Sequence, residues 1–281
     1  MVRWVAGWLV LGAIVLGVAR LTVVPRVESW LLIGATRDES IVVARYSVSN
    51  TGLFADQLTT RLALLRADAA PIAHRSIAGP AQVDGAGVHG ALDRIEREGD
   101  AWNWHIAGDS LVGNGVISGS AAGCPTAPGE LLGFLHLPDG LGAEGEAIPL
   151  RGTAVAVRTG ARGNAIGSAL YAFDQNGVLG LDPLGECPGF LTLDGIAAAG
   201  APPWIPPVPD ERFTLNFAGH VLEVRVGKHE IEETPLTTTL LPERWLAAAV
   251  GYHLPSSRVV RARVTIDGRR PWSAVLMLGA H

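Results

Sequence analysis

The sequence predicts an all-β protein: antiparallel strands in two barrel- or sandwich-like units, with an N-terminal transmembrane helix and one short C-terminal helix. Three observations carry this. Residues 29–66 read as three strands in succession. The 35 glycines and 18 prolines supply turns for many short strands. The 48% hydrophobic content supplies a core, and a charged fraction of 17%, below the usual quarter, excludes a disordered polyampholyte. Three regions follow: residues 1–27 as a signal anchor or signal peptide, 28–147 as a first β unit and 148–281 as a second.

Residues 4–19 are apolar without interruption between Arg3 and Arg20. Extended to Val24, the segment is roughly 21 residues, enough to cross a bilayer if the Arg20 side chain reaches back to the interface. As a signal peptide it has a short charged start and a tolerable cleavage site at Gly17-Val18-Ala19. As a signal anchor it stays attached, and Pro25-Arg26 ends the helix. The missing Ala-x-Ala and the apolar residues after Arg20 favour the anchor. Either reading expects the remainder to be extracytoplasmic, on the periplasmic or cell-surface side. Charge does not set the orientation, because Arg3 and the amine face Arg20 and Arg26. Cys124 and Cys187, each followed by proline, are either one disulfide of an oxidising compartment or two buried thiols.

Ile41–Ser49 is β-branched and aromatic, which suits a pleated surface. Val42, Ala44, Tyr46 and Val48 share one face, and Asn50 and Gly52 supply the following turn. Residues 58–64 alternate again, although Leu58, Leu62 and Leu65 also match a helix over 56–66. Residues 71–79 form a short strand. Gly85, Gly87 and Gly90 have dinucleotide-site spacing, but Pro80 interrupts the segment before them, and only a short run follows. They read as a loop. Residues 92–97 and 101–106 form a hairpin around Glu98-Gly99-Asp100, with Trp102, Trp104 and Ile106 on one face and Asn103 and His105 on the other. Residues 109–120 add Leu111 and Val116-Ile117 among glycines, and 133–137 is a further strand.

A second series starts at Ile148, with strands over 153–158 and 165–173. Asn176-Gly177 predicts a type I′ turn, which needs positive φ twice. Strands at 178–181 and 190–193 precede a stiff, proline-rich connector over 201–209. Residues 212–217 and 221–226 form a hairpin around Ala218-Gly219. Residues 242–250 form the C-terminal helix, with Pro242 at its start and Gly251 past its end. Residues 259–266 and 272–278 close with a hairpin at Asp267-Gly268.

Several chemistries are excluded. There is no G-x-S-x-G nucleophile elbow and no P-loop. His229-Glu230-Ile231-Glu232-Glu233 begins like a zinc-protease helix but has glutamate where the second histidine belongs. Asp174, Asn176 and Asp182 miss the calcium-loop spacing. Neither a metal nor a cofactor is expected. A formal net charge of −5, scattered arginines and the single lysine, Lys228, argue against a nucleic-acid partner. What remains is a possible apolar ligand wall: Trp102 and Trp104, His105 beside them as a titratable group, and Tyr46.

The segment Trp30-Leu-Leu-Ile-Gly34, the strand ending Tyr46-Ser-Val-Ser-Asn50-Thr-Gly52, and Trp102-Asn-Trp-His-Ile106 followed by Asp109 resemble the carotenoid-hydratase-like proteins. These are similar to two lipocalin-type barrels in tandem. The resemblance covers residues 28–281 and implies that fold and an apolar ligand class; it transfers no catalytic residue. Three functions follow as expectations: an envelope-tethered protein binding a hydrophobic or lipid-like small molecule, an enzyme acting on an isoprenoid-like substrate with His105 or Asp109 as acid, and a structural or partner-binding envelope protein. Binding is the leading expectation.

Overall fold

Alternation along the chain builds the first sheet. In the computed structural model, which describes positions 4, 7, 8, 10–12 and 14 and residues 26–49, 57–67, 69–107, 111–120, 124–137, 147–162, 167–207, 209–233 and 257–279, nineteen strands are present among the described residues. β1 (Arg26–Thr36), β2 (Ile41–Ser49) and β3 (Gln57–Leu65) form an antiparallel meander in which Trp30 faces Tyr46 and Tyr46 faces Thr60. Residues 57–65 are therefore a strand, not a helix. Both faces of the meander are buried, which explains why leucines at helical spacing occur in an extended segment.

The sheet continues through β4 (Ile72–Pro80) on one side and β11 (Ala147–Arg162) on the other. Beyond β11 come β10 (Gly129–His136), β9 (Val112–Ser118), β8 (Ala101–Ala107), β7 (Arg94–Glu98), β6 (Gly87–His89) and β5 (Gln82–Val83), eleven strands in all. The glycine-rich stretch at 84–90 is thus a tight hairpin. Asp84 Oδ1 accepts hydrogen bonds from Ala86 N and Gly87 N, and these lower the Asp84 pKa. The sheet curls until its ends approach each other. The Tyr46 hydroxyl then donates to the His105 carbonyl at 2.8 Å, and the Thr60 hydroxyl donates to Asp93.

The second sheet has eight strands, in the order β15-β14-β13-β12-β19-β18-β17-β16. Its strands are β12 (Ala169–Asp174), β13 (Gly177–Leu181), β14 (Gly189–Leu193), β15 (Ile196–Ala199), β16 (Arg212–Phe217), β17 (His220–Glu233), β18 (Ser257–Ile266) and β19 (Trp272–Leu278). Asp194-Gly195, Ala218-Gly219 and Asp267-Gly268 all have positive φ at both residues, as hairpin turns matched to strand twist require. Asn176-Gly177 differs from its expectation. The turn residues are Gln175 and Asn176, Asp174 faces Gly177, and neither Asn176 nor Gly177 has positive φ. Glycine at 177 serves close approach instead: a Cβ there would lie 2.8 Å from the Thr192 carbonyl oxygen and against the Trp272 ring.

Three apolar clusters follow from this alternation. One lines the inside of the first curled sheet, one the inside of the second, and one lies between the two. The middle cluster packs Leu31, Ile33, Ile41 and Val43 against Tyr171, Phe173, Val275 and Met277. Each such side chain contributes roughly 1.5–3 kcal/mol on burial. The Cys124–Cys187 disulfide joins the loop before β10 to the loop before β14. Arg261 and Arg263 reach Glu39 in the β1–β2 turn, through its carbonyl oxygen at 2.8 Å and its carboxylate at 2.9 Å.

Three further expectations meet the structure here. Residues 148–162, assigned to the second unit from the sequence, lie in β11 of the first sheet, because β11 is the strand that pairs with β1. The expected N-terminal transmembrane helix is not found: among the described residues no helix is long and apolar enough to cross a membrane. The helical positions there leave Trp4 and Trp8 exposed. The helix expected over 242–250 lies outside the described residues.

Candidate functional site on the inner wall of the first barrel

β8 carries the aromatic wall. A period of two turns Trp102, Trp104 and Ile106 inward, with the tryptophans only 4% and 3% exposed. Asn103 and His105 are half-buried on the opposite face. Of the four residues expected to contact a ligand, the structure places Tyr46, Trp102 and Trp104 in one core cluster. The His105 ring points away from that wall, and His105 contributes only its carbonyl, which accepts from Tyr46. Asp109 lies outside the described residues.

Local backbone chemistry explains how a ring as large as Trp104 fits. Its neighbours on β9 are Gly113 and Gly115. A Cβ on Gly115 would sit 2.8 Å from Trp104 Nε1, and one on Gly113 would sit 2.8 Å from Trp104 Cζ3. The indole therefore covers a strip of bare backbone. Trp102 faces Arg97 on β7, whose exposed guanidinium stands 6.0 Å over the ring centroid. Trp30, on the same inner face, has the Arg158 guanidinium 5.3 Å above it, and that arginine also pairs with Glu28 at 3.2 Å and Glu186 at 3.5 Å.

One polar member of the wall has no sequence signature. Asp93, just before β7, is fully buried. One carboxylate oxygen accepts from the Thr60 hydroxyl, and the other accepts from Ala107 N at 2.8 Å. Within Asp93-Arg94-Ile95-Glu96-Arg97 it resembles its solvated neighbours, and only the sheet's curl brings Thr60 to it. Burial raises the Tyr46 phenol well above its ordinary pKa, and the Asp93 charge adds to the shift. Neither Trp102 Nε1 nor Trp104 Nε1 has a hydrogen-bond partner among the described residues.

A second polar layer lies between the sheets. Ser29 and Ser47 share a hydrogen bond of 2.7 Å, and Arg45 Nε donates to Ser47 Oγ at 3.2 Å. The Tyr171 hydroxyl donates to Asp182 at 2.7 Å, while Leu184 N donates to the other oxygen of that carboxylate. Burial, followed by the Asp182 charge, raises the Tyr171 pKa well above its ordinary value. Among the described residues no group of three or more His, Cys, Asp or Glu side chains is placed to hold a metal ion.

No protein-family model and no curated protein sequence matches the chain. Solved structures do. A crystal structure from Nitrosomonas europaea, provisionally described as AttH, is 13% identical with a TM-score of 0.54, over 90% of this chain and 92% of that one. The crystal structure of CghA is 11% identical with a TM-score of 0.52, over 91% of this chain and 88% of that one. The structure of CghA with Sch210972 is 12% identical with a TM-score of 0.50, over 90% and 87%. The likeness is one of fold: an antiparallel, lipocalin-like β-barrel architecture built from two curled sheets.

Proposed function

We propose that this chain is an envelope-tethered barrel protein that holds a hydrophobic or lipid-like small molecule against the inner wall of its first barrel. The observation that carries the reading is the buried aromatic wall of Trp30, Tyr46, Trp102 and Trp104. The fold adds support, since CghA has been solved with the small molecule Sch210972. The tether rests on the N-terminal segment, where Trp4, Trp8, Val10, Leu11 and Ile14 are 50–77% exposed on helical positions. A lipid bilayer is the medium suited to such a surface. The disulfide suits an oxidising, extracytoplasmic compartment. The test is native mass spectrometry of the full chain purified from membranes, with organic extraction of the same sample. A co-purifying apolar molecule, or saturable uptake of a fluorescent fatty acid, is expected; neither would end the reading. Flotation with liposomes tests the tether, and the full chain is expected to float.

One observation favours a partner-binding protein instead. The Trp104 ring occupies the space over Gly113 and Gly115, as in a solid core, while Leu132 and Phe134 are exposed on the outer face of β10. Absence of any bound molecule in the same experiment, together with self-association of the unmodified chain that Phe134→Asp abolishes, supports that reading.

A further inference from the structure

We infer that the molecule held at this wall carries a hydrogen-bond acceptor, such as a ketone or ester carbonyl set in an apolar frame, and that the indole N–H of Trp102 or Trp104 receives it. The inference rests on the binding reading above and deepens it. It follows from the polar groups of the first barrel's interior. The Tyr46 hydroxyl is committed to the His105 carbonyl at 2.8 Å. Both Asp93 oxygens accept bonds, one from Thr60 and one from Ala107 N. The Ser120 hydroxyl accepts from Ala156 N at 3.0 Å. Trp102 Nε1 and Trp104 Nε1 are the unpartnered side-chain polar atoms in the aromatic cluster among the described residues. Both rings are more than nine-tenths buried.

An indole nitrogen can only donate. The polar atoms of the wall left without any partner are therefore donors, and a hydrocarbon would leave them so. The two tryptophans sit two residues apart on one strand, roughly 7 Å along its axis. Acceptors at that spacing on one molecule could engage both. Trp102 lies toward the rim, under the exposed Arg97 side chain, and Trp104 lies deeper, on the glycine strip.

The test compares 2-hexanoylnaphthalene with 2-hexylnaphthalene, which differ by one carbonyl, binding to the full chain in detergent micelles. Affinity is read by quenching of tryptophan fluorescence. The indole ¹⁵N–¹H resonances are followed in parallel and assigned from Trp102→Phe and Trp104→Phe. The ketone is expected to bind about fivefold or more tightly than the hydrocarbon and to move at least one of the two indole resonances downfield, while the hydrocarbon moves neither in that direction. In the variant that lacks the indole whose resonance moves, the ratio of affinities should fall toward one. Equal affinities with no indole shift in the unmodified chain overturn the acceptor inference and leave the binding reading standing. Failure of both probes to bind overturns both. The unmodified chain decides the matter even if a variant fails to fold.

Discussion

Asp93 is the residue whose removal should be felt most sharply in the first barrel. It holds the Thr60 hydroxyl and the Ala107 amide, so Asp93→Ala orphans one buried and one part-buried donor together. A loss of roughly 2–4 kcal/mol is expected in urea unfolding, whereas Thr60→Val, which removes one partner, should cost less. The two buried phenols offer a spectroscopic test. Tyr46 and Tyr171 are both raised well above the ordinary value of 10.0, chiefly by burial. A group with a raised folded-state pKa stabilises fully below its unfolded value and loses that contribution as pH climbs from there. Both should therefore ionise in the folded protein only at higher pH than a free tyrosine, by tyrosinate absorbance near 295 nm, and folding stability should begin to fall above about pH 10. None of this detail was legible in the sequence. Trp102 and Trp104 announced themselves through alternation, but a fully buried Asp93 looks like any charge between charges, because its burial is a property of a distant strand.

Hairpin ends and loop ties belong to a larger scale. The Ala218-Gly219 and Asp267-Gly268 turns lie close enough for His220 Nδ1 to meet Asp267 Oδ2 at 2.6 Å, while Asp267 Oδ1 accepts from Val221 N. The His220 bond, then the Val221 amide, hold the Asp267 carboxyl below its ordinary 3.8. A depressed carboxyl stabilises above its unfolded pKa and stops doing so as pH falls through its folded one. Asp267→Asn should therefore reduce the melting temperature slightly at pH 7, and the gap from the unmodified chain should close below about pH 4. The disulfide closes a loop of 63 residues containing β10 through β13. Its replacement by Cys124→Ser with Cys187→Ser should cost about 3–4 kcal/mol, measured by thermal unfolding without reductant. The turn dipeptides and strand periods were readable because each depends on residues adjacent in the chain. The type of the 175–176 turn was not, since Gly177 answers to the Trp272 ring nearly a hundred positions away.

At the level of the molecule, the two curled sheets share one apolar layer, built from part of the outer face of each. Phe173→Ala, at 2% exposure within that layer, should cost roughly 3–5 kcal/mol. Hydrogen exchange should show protection falling in both sheets together; loss confined to the second would contradict the shared layer. That the chain forms antiparallel sheets from two strand series was legible, while the sheet to which β11 belongs was not. Ile148 opens what reads as a fresh series, yet β11 returns to lie against β1, and no local pattern marks a strand for so remote a neighbour. That return has a consequence during biosynthesis. Arg26 waits for Arg162. Until the ribosome has released β11, the first strand of the barrel has one flank without its ladder, and pairing across so long a loop is intrinsically slow. Nascent chains stalled before residue 147 should therefore bind holdase chaperones, and those stalled well past residue 162 should escape them.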